Sequence, residues 1–202
     1  MMMRKAAVFD VGRVLFDWQL RVLFEKLIAD PAELDWFLTN VVTEEWHFEH
    51  DQGRTMAEML PERIALFPAQ ESLIRAYAAR FNETIPGPIP GTHALVERLA
   101  ARGVPLFCLT NFGDEFWQAF RPTQPIFDHF ADIIVSGVEK VAKPEARIYE
   151  IVEERSGRSD DALFFTDDNP ANIAAARARG WDAHLFTDAA ALETQLTAAG
   201  LL

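Results

Sequence analysis

The fold is decided by residues 6–17, which read AAVFDVGRVLFD. The apolar run from Ala6 to Val11 predicts a short strand that is buried on both faces, with Asp10 near its end. In open parallel sheets, ligands bind beyond the carboxyl ends of the strands. Asp10 is therefore the first candidate for a functional residue.

Four further apolar segments have the length and composition of buried strands. They run from Val104 to Thr110, from Asp132 to Ser136, from Ala162 to Thr166 and from Ala183 to Phe186. Helical patterns separate the later segments: one follows Pro144 and stops at Gly157, and another opens at Asn169 and stops at Gly180. This alternation predicts an α/β fold with a parallel sheet covered by helices on both faces.

The segment 18–88 has no strand pattern. Its apolar residues recur at helical spacing, as at Leu23 and Leu27, and it is bounded by Asp17 and by the turn-rich stretch 86–91. We therefore predict an inserted helical subdomain, which we call the cap. The predicted domains are a core formed by residues 1–17 and 89–202 and a cap formed by residues 18–88.

The composition limits the classes of partner. Of 202 residues, 19 are Lys or Arg and 31 are Asp or Glu, so the net charge is −12. A field of this sign repels nucleic acid and anionic membranes, and we expect neither as a partner.

Cys108 is the only cysteine, which excludes a disulfide framework. No run approaches the roughly 18 apolar residues of a membrane span, and Asp10 interrupts the first apolar stretch too early for a signal peptide. We expect a cytoplasmic location.

Polar side chains stand at the ends of several predicted strands. They are Asp10 after the first, Thr110 and Asn111 after the second, Lys143 between the third strand and its helix, and Asp167 and Asp168 after the fourth. Carboxylates, a hydroxyl, an amide and a lysine are thus expected to converge at one edge of the sheet. Such a set suits phosphoryl transfer to a carboxylate nucleophile.

The chemistry of that reaction assigns roles to these residues. Asp10 would attack phosphorus and form an acyl phosphate that water then cleaves. A carboxylate repels phosphate unless a cation lies between them, and Mg²⁺ held by Asp10 and Asp168 would fulfil this requirement. Lys143 would offset negative charge, and Thr110 would bind phosphate oxygens. The expected partner is a small-molecule phosphate ester.

Four motifs together carry a family resemblance. They are FDVGRVLFD at residues 9–17, LTN at residues 109–111, KPE at residues 143–145 and FFTDDNPANI at residues 164–173. In this order they resemble the motifs of the haloacid dehalogenase superfamily, whose leading Asp is the nucleophile. That family places its cap between the first two motifs, where the helical segment lies. Within it, the chain looks like the glucose-1-phosphate phosphatase-like subgroup, which also has Gly two residues after the nucleophile.

The resemblance implies a Rossmann-like core, magnesium and hydrolysis of a phosphate monoester through an aspartyl-phosphate intermediate. Carried over by position, Asp10 is nucleophile and metal ligand, Gly12 offers its backbone carbonyl to the metal, and Asp168 is the second carboxylate ligand. Asp167 is either a further ligand or the residue that orients Lys143. Asn172 stands where many relatives have an acid, which favours an indirect role.

Two alternatives remain open. A 2-haloacid dehalogenase of the same fold would attack carbon without a metal, but Gly12 and the acids Asp167 and Asp168 favour a phosphatase. A protein that binds a phosphorylated metabolite with weakened catalysis is the second alternative. It is favoured only by Gly12, because active relatives commonly carry there an Asp that protonates the leaving group. Asp17 is the candidate substitute, and without an acid at position 12 we expect aryl phosphates to react faster than alkyl phosphates.

Overall fold

The computed structural model describes residues 5–202, and its centre is a parallel sheet of five strands in the order β5-β4-β1-β6-β7. In chain order the strands are β1 (Ala6–Phe9), β2 (Phe16–Asp17), β3 (Gly87–Pro88), β4 (Leu106–Thr110), β5 (Asp132–Val135), β6 (Leu163–Asp167) and β7 (Asp182–Leu185). The short β2 and β3 pair with each other, antiparallel and apart from the main sheet. The sheet confirms the predicted α/β, Rossmann-like fold class.

Helices fill the connections between the strands. They are α1 (Leu20–Phe24), α2 (Pro31–Asn40), α3 (Glu44–Asp51), α4 (Met56–Leu66), α5 (Glu71–Ala79), α6 (Thr92–Ala101), α7 (Asp114–Phe120), α8 (Ser136–Glu139), α9 (Ala146–Ser156), α10 (Pro170–Ala178) and α11 (Ala189–Ala198). Within the described residues, no helix is long and apolar enough to cross a membrane.

Two of the helix boundaries predicted from turn residues are the start of α10 and the end of α9, and both are present. The side chain of Asn169 accepts a hydrogen bond from the backbone N–H of Ala171, and Pro170 is the first residue of α10. Gly157 follows α9 in the left-handed conformation with φ 64°, which costs glycine little and allows the chain to turn toward β6. Sequence signals at helix ends therefore locate α9 and α10 well.

Each face of the sheet is buried in its own apolar layer. Along β1, Ala7 and Phe9 join one layer, whereas Ala6 and Val8 join the other. The first layer lies under α6, α7 and α11 and continues into the interior of α1 to α5, and the second lies under α9 and α10. Because neither face is solvated, the strands read as unbroken apolar runs in the sequence.

The segment between β2 and β3 is helical throughout its regular structure, from α1 to α5 and the 3₁₀ turns that follow. We propose that residues 18–88 form the cap on a core of residues 1–17 and 89–202. The prediction of no strand up to Pro88 is wrong at its last two residues, because Gly87 and Pro88 pair with Asp17 and Phe16. A two-residue strand made of Gly and Pro has no apolar alternation by which the sequence could reveal it.

The C-terminal end of α3 is fixed directly to the core. The Ser136 hydroxyl, at the start of α8, donates to the backbone carbonyl of Asp51 at 2.5 Å and accepts from the backbone N–H of Phe112 at 3.0 Å. Beside it, the ring of His50 lies so close to Gly113 that a Cβ there would fall 1.9 Å from its Cδ2 atom. This junction depends on the absence of a side chain at position 113.

We predict that Gly113→Ala destabilises the protein, because the added methyl group must displace the buried His50 ring. Overpacking of this kind costs about 1–3 kcal/mol, which for a protein of this size lowers the Tm by roughly 3–10 °C. The matched control is Gly87→Ala, where a Cβ meets no atom within 4 Å. Thermal unfolding checks both variants, and equal Tm values for the two would contradict this description of the junction.

Candidate active site

Asp10 directly follows β1, at the middle of the carboxyl edge of the sheet. Its backbone N–H donates to the carbonyl of Thr166 in β6, and its Oδ1 atom accepts from the backbone N–H of Val11 at 2.7 Å. The residue is only 7% exposed. The carboxylate is therefore held in one orientation by the chain that follows it.

Lys143 is the charge partner of Asp10. The side chain is almost completely buried, and its Nζ atom lies 2.9 Å from Asp10 Oδ1, 2.6 Å from Asp167 Oδ2 and 2.9 Å from the Leu109 carbonyl. An ammonium group has three N–H donors, and these three oxygens match them. The nearby carboxylates raise the pKa of Lys143 and outweigh the opposing effect of burial. Lys143 is therefore a fixed positive charge between two carboxylates.

Both carboxylate oxygens of Asp167 accept hydrogen bonds from other groups of the protein. Besides Lys143, its carboxylate accepts from the backbone N–H of Asn169 at 2.8 Å and from the side-chain amide of Asn172 at 3.0 Å on both oxygens. The residue is completely buried. This pattern favours the role of orienting Lys143 over that of a metal ligand.

Thr110 is the last residue of β4, Asn111 follows it, and the two side chains have different surroundings. The side-chain amide of Asn111 donates to the backbone carbonyl of Lys143 at 3.0 Å and accepts from its backbone N–H at 2.9 Å. Asn111 therefore clamps the loop that carries the lysine, and it also lines the cavity described below. Thr110 is buried at the edge of the sheet and does not line that cavity.

A set of acidic oxygens suited to a metal lies beside the lysine. Asp10, Asp167 and Asp168 each offer a carboxylate oxygen, and these oxygens lie within 4.8 Å of one another. Burial raises the pKa of Asp10, an effect that Lys143 opposes, and burial together with Asp167 raises the pKa of Asp168. One lysine does not balance three carboxylates, so a divalent cation fits the charge of this site.

Asn172 adds an unsatisfied oxygen to the same place. Its Nδ2 group donates to Asp167, but its buried Oδ1 atom has no hydrogen-bond partner within residues 5–202. Buried polar atoms without partners are rare in folded proteins. The residue lines the cavity next to Asp168, so this oxygen is available to a bound ion or to a water molecule on that ion.

A cavity of about 150 Å³ opens in front of these residues. On the core side it is lined by Asp10, Gly12, Asn111, Lys143, Asp168 and Asn172, among others. On the cap side it is lined by Trp18, His47, Asp51, Phe81 and Ile85. A volume of this size holds a small group of atoms, comparable to one benzene molecule. One wall is thus polar and acidic, and the opposite wall is mainly aromatic.

Several lining residues were not found from the sequence. Phe81, Ile85 and Asp51 belong to the predicted cap, where the helical pattern marks apolar faces without showing which of them meets the core. The stretch from Glu44 to Asp51 is acidic and contains two histidines, and this composition was the one signal in the sequence for a functional surface on the cap. Asp17 lies off the cavity, because it belongs to β2 and its carboxylate accepts from the side chain of Gln19.

The comparison with known families agrees with this geometry. The sequence model of the family described as haloacid dehalogenase-like hydrolase matches residues 5–180. The chain therefore belongs to the haloacid dehalogenase-like hydrolase family, and it is a hydrolase. The superfamily resemblance of the four motifs is confirmed, whereas the glucose-1-phosphate phosphatase-like subgroup is not.

Individual relatives cover nearly the whole chain. Sesquiterpene phosphatase astK of Aspergillus oryzae is 28% identical over 193 residues, which make up 93% of this chain and 92% of that protein. The HAD family enzyme bt-2542 from Bacteroides thetaiotaomicron, in complex with magnesium and inorganic phosphate, is 22% identical with a TM-score of 0.69, covering 92% of this chain and 96% of the other. L-2-haloacid dehalogenase from Xanthobacter autotrophicus is 20% identical with a TM-score of 0.63, covering 99% and 85%. These two structures share the fold.

We predict that Asp167→Asn strongly destabilises the protein, because it leaves the buried Lys143 ammonium with one carboxylate instead of two. Breaking a buried ion pair costs about 3–5 kcal/mol. Asp168→Asn is the matched control. Because Asp168 has no cationic partner at hydrogen-bond distance within residues 5–202, we expect this variant to change stability by about 1 kcal/mol or less. Urea unfolding in metal-free buffer measures both, and similar losses for the two variants would contradict the assigned role of Asp167.

Proposed function

We propose that this hydrolase is a magnesium-dependent phosphatase that cleaves a small organic phosphate monoester through an aspartyl-phosphate intermediate on Asp10. The observation that carries the proposal is the buried carboxylate Asp10, held by Lys143 and placed beside Asp168 at the polar wall of the cavity. Two relatives support it, since one is a phosphatase and another was solved with magnesium and inorganic phosphate.

The donor set supports magnesium as the cofactor. Carboxylates of Asp10 and Asp168 and the backbone carbonyl of Gly12 would hold the ion, while Asp167 would act through Lys143 and Asn172 through its free oxygen. Bound there, Mg²⁺ supplies the positive charge that lets an anionic nucleophile approach an anionic phosphate. Oxygen ligands together with retained water are the coordination that this ion prefers.

Asp10 has the position of a nucleophile for phosphorus. Its Oδ1 atom is fixed by Lys143 and by the backbone of Val11, which orients the carboxylate as a whole. A carboxylate oxygen forms a bond to phosphorus as the bond to the leaving oxygen breaks, and water then releases inorganic phosphate from the acyl phosphate. Lys143 stays protonated and offsets negative charge next to Asp10 throughout. Asn111 keeps the lysine loop in place.

The lining of the cavity supports a preference for an apolar organic group on the phosphate. Trp18, Phe81 and Ile85 present apolar surface to the cavity, and Phe112 adds a further ring from the core. We therefore propose a small phosphate ester whose organic part is at least partly apolar. An apolar substrate would agree with the name of the phosphatase from Aspergillus oryzae. The glucose-1-phosphate subgroup and the cytoplasmic location stay predictions.

The 2-haloacid dehalogenase alternative is less well supported. The relative from Xanthobacter autotrophicus shares the fold of this chain, but at 20% identity that likeness does not extend to the reaction. Attack on carbon needs no cation, whereas Asp10, Asp167 and Asp168 lie close enough together to hold one. The acidic group therefore favours phosphate over a haloacid as the substrate.

We predict that Asp10→Asn abolishes turnover, because the amide is nearly isosteric but is neither a nucleophile nor an anionic metal ligand. Loss of a covalent nucleophile costs at least about 10⁴-fold in kcat. The assay is release of inorganic phosphate from 4-nitrophenyl phosphate with Mg²⁺, and thermal unfolding serves as the control for an intact fold. A folded Asp10→Asn protein with near-normal activity would show that the covalent mechanism is wrong.

We predict a different result for Asp168→Asn. Because this change removes one metal ligand and leaves the nucleophile, the Mg²⁺ concentration for half-maximal activity should rise at least about tenfold, and excess Mg²⁺ should restore part of the rate. The measurement is a titration of activity with Mg²⁺, with Asp17→Asn as the matched control outside the cavity. An unchanged Mg²⁺ dependence for Asp168→Asn would contradict its role as a ligand.

A further inference from the structure

The site as described has no acid on the core side for the leaving oxygen. Gly12 stands where related enzymes carry one, and a Cβ built at Gly12 would meet no atom within 4 Å. That space is open and lacks a functional group. An alkoxide leaving group is strongly basic, so its departure from phosphorus depends on protonation. Any acid must therefore come from another part of the cavity wall.

Asp51 is the cap residue whose chemistry fits this need. It ends α3, lines the same cavity as Asp10 and Lys143, and is 5% exposed. Its Oδ1 atom is buried and has no hydrogen-bond partner in the described part of the chain. Because a buried carboxylate oxygen without a partner is costly, this atom is suited to a partner that arrives with the substrate.

The second oxygen of Asp51 faces a fixed imidazole. His47 Nε2 lies 3.3 Å from Asp51 Oδ2, and His47 Nδ1 lies 2.6 Å from the Tyr77 hydroxyl. We assign the Tyr77 hydroxyl as the donor to Nδ1, so that an N–H of the ring lies on Nε2, on the side of Asp51. The His47 ring is stacked against Trp18 on one side and Phe81 on the other. His47 therefore has little freedom and can hold Asp51 in one orientation.

The other polar residues on this wall are less suitable. Both ring nitrogens of His47 already have protein neighbours, and the guanidinium of Arg13 pairs with Glu44. The backbone of Asp51 is anchored to the core by Ser136, so its side chain keeps its place above the site. Asp51 combines a buried oxygen without a partner in the described part of the chain with a backbone that is anchored to the core.

We propose that Asp51 is the catalytic residue that protonates the leaving oxygen, with His47 as its positioning residue; this inference rests on the proposed phosphatase function. As the Asp10 oxygen bonds to phosphorus and the phosphorus–oxygen bond to the organic group breaks, the proton of the Asp51 carboxyl moves to the leaving oxygen. The products of this half-reaction are an alcohol, the aspartyl phosphate and an Asp51 carboxylate.

The second half-reaction restores the acid. A water molecule attacks phosphorus and gives one proton to the Asp51 carboxylate, while its oxygen forms the new bond and the Asp10 carboxylate leaves. Inorganic phosphate, ionised Asp10 and protonated Asp51 result, so atoms and charges balance over the cycle. Asp51 thus supplies from the cap the proton that an acidic side chain at position 12 would supply from the core.

The test compares an alkyl with an aryl substrate, because only the alkyl leaving group depends strongly on an acid. The quantity compared is kcat/KM, which reports formation of the aspartyl phosphate and not its hydrolysis, a step that both substrates share. Asp51→Asn should lower kcat/KM on an alkyl phosphate such as glycerol phosphate by about 10²–10³-fold, and kcat/KM on 4-nitrophenyl phosphate by less than about tenfold. His47→Gln should shift the ratio of the two rates in the same direction by a smaller factor. Asp17→Asn, the matched control, should leave the ratio unchanged.

A rescue experiment completes the design. In the Asp51→Asn background, Gly12→Asp places a carboxyl in the open space of the core and should recover at least about tenfold of the alkyl rate. Equal losses on both substrates, or no loss, would overturn the assignment of Asp51. If Asp51→Asn does not fold, the wild-type protein provides the test. A ratio of its rate on 4-nitrophenyl phosphate to its rate on the alkyl phosphate above about 10³ would show that no acid protonates the leaving oxygen, and would overturn the assignment. Absence of Mg²⁺-dependent hydrolysis of the aryl substrate by wild type would instead overturn the proposed function itself.

Discussion

The arrangement of the site depends on the burial of one ammonium group, that of Lys143. A buried charge is strongly unfavourable unless it is paired and fully hydrogen-bonded. Its three partners come from three neighbouring strands: Asp10 follows β1, Leu109 lies in β4 and Asp167 ends β6. The lysine is satisfied only when these strands are in register at their carboxyl ends. The register of the sheet and the geometry of the candidate site therefore depend on the same contacts, which explains how a charged side chain can be almost completely buried here.

The parts that the sequence predicted are those that follow from strand periodicity. Apolar runs located the five strands of the main sheet, and the rule that parallel strands end at one edge brought Asp10, Lys143 and Asp168 together. The role of Asp167 stayed open, since only its contacts with Lys143 and Asn172 distinguish an orienting residue from a ligand. The prediction that Asp17 serves the site was wrong, because closeness in sequence to a hinge does not determine the direction of a side chain.

The sequence could not show which cap residues line the cavity, and the reason is physical. The buried residues of α3 are Trp46, His47, His50 and Asp51, most of them polar, so apolar periodicity does not mark the inward face of this helix. The angle at which α3 meets the core depends on close contacts such as that of His50 with Gly113. Those contacts place Asp51 and His47 over a site built entirely by other elements. The result is a cavity with an acidic, metal-compatible wall on the core and an aromatic wall on the cap. In the proposed function, the core would carry out the phosphate chemistry and the cap would select the organic group.

The central claim is that Asp10 becomes covalently phosphorylated during turnover. Rapid acid quenching of the wild-type enzyme mixed with 4-nitrophenyl phosphate and Mg²⁺, followed by digestion and mass spectrometry, tests this directly. We expect one phosphoryl group on the peptide that contains Asp10, and none on that peptide when Mg²⁺ is omitted. Turnover without a phosphorylated peptide at any quench time, or a phosphoryl group on another residue, would contradict it.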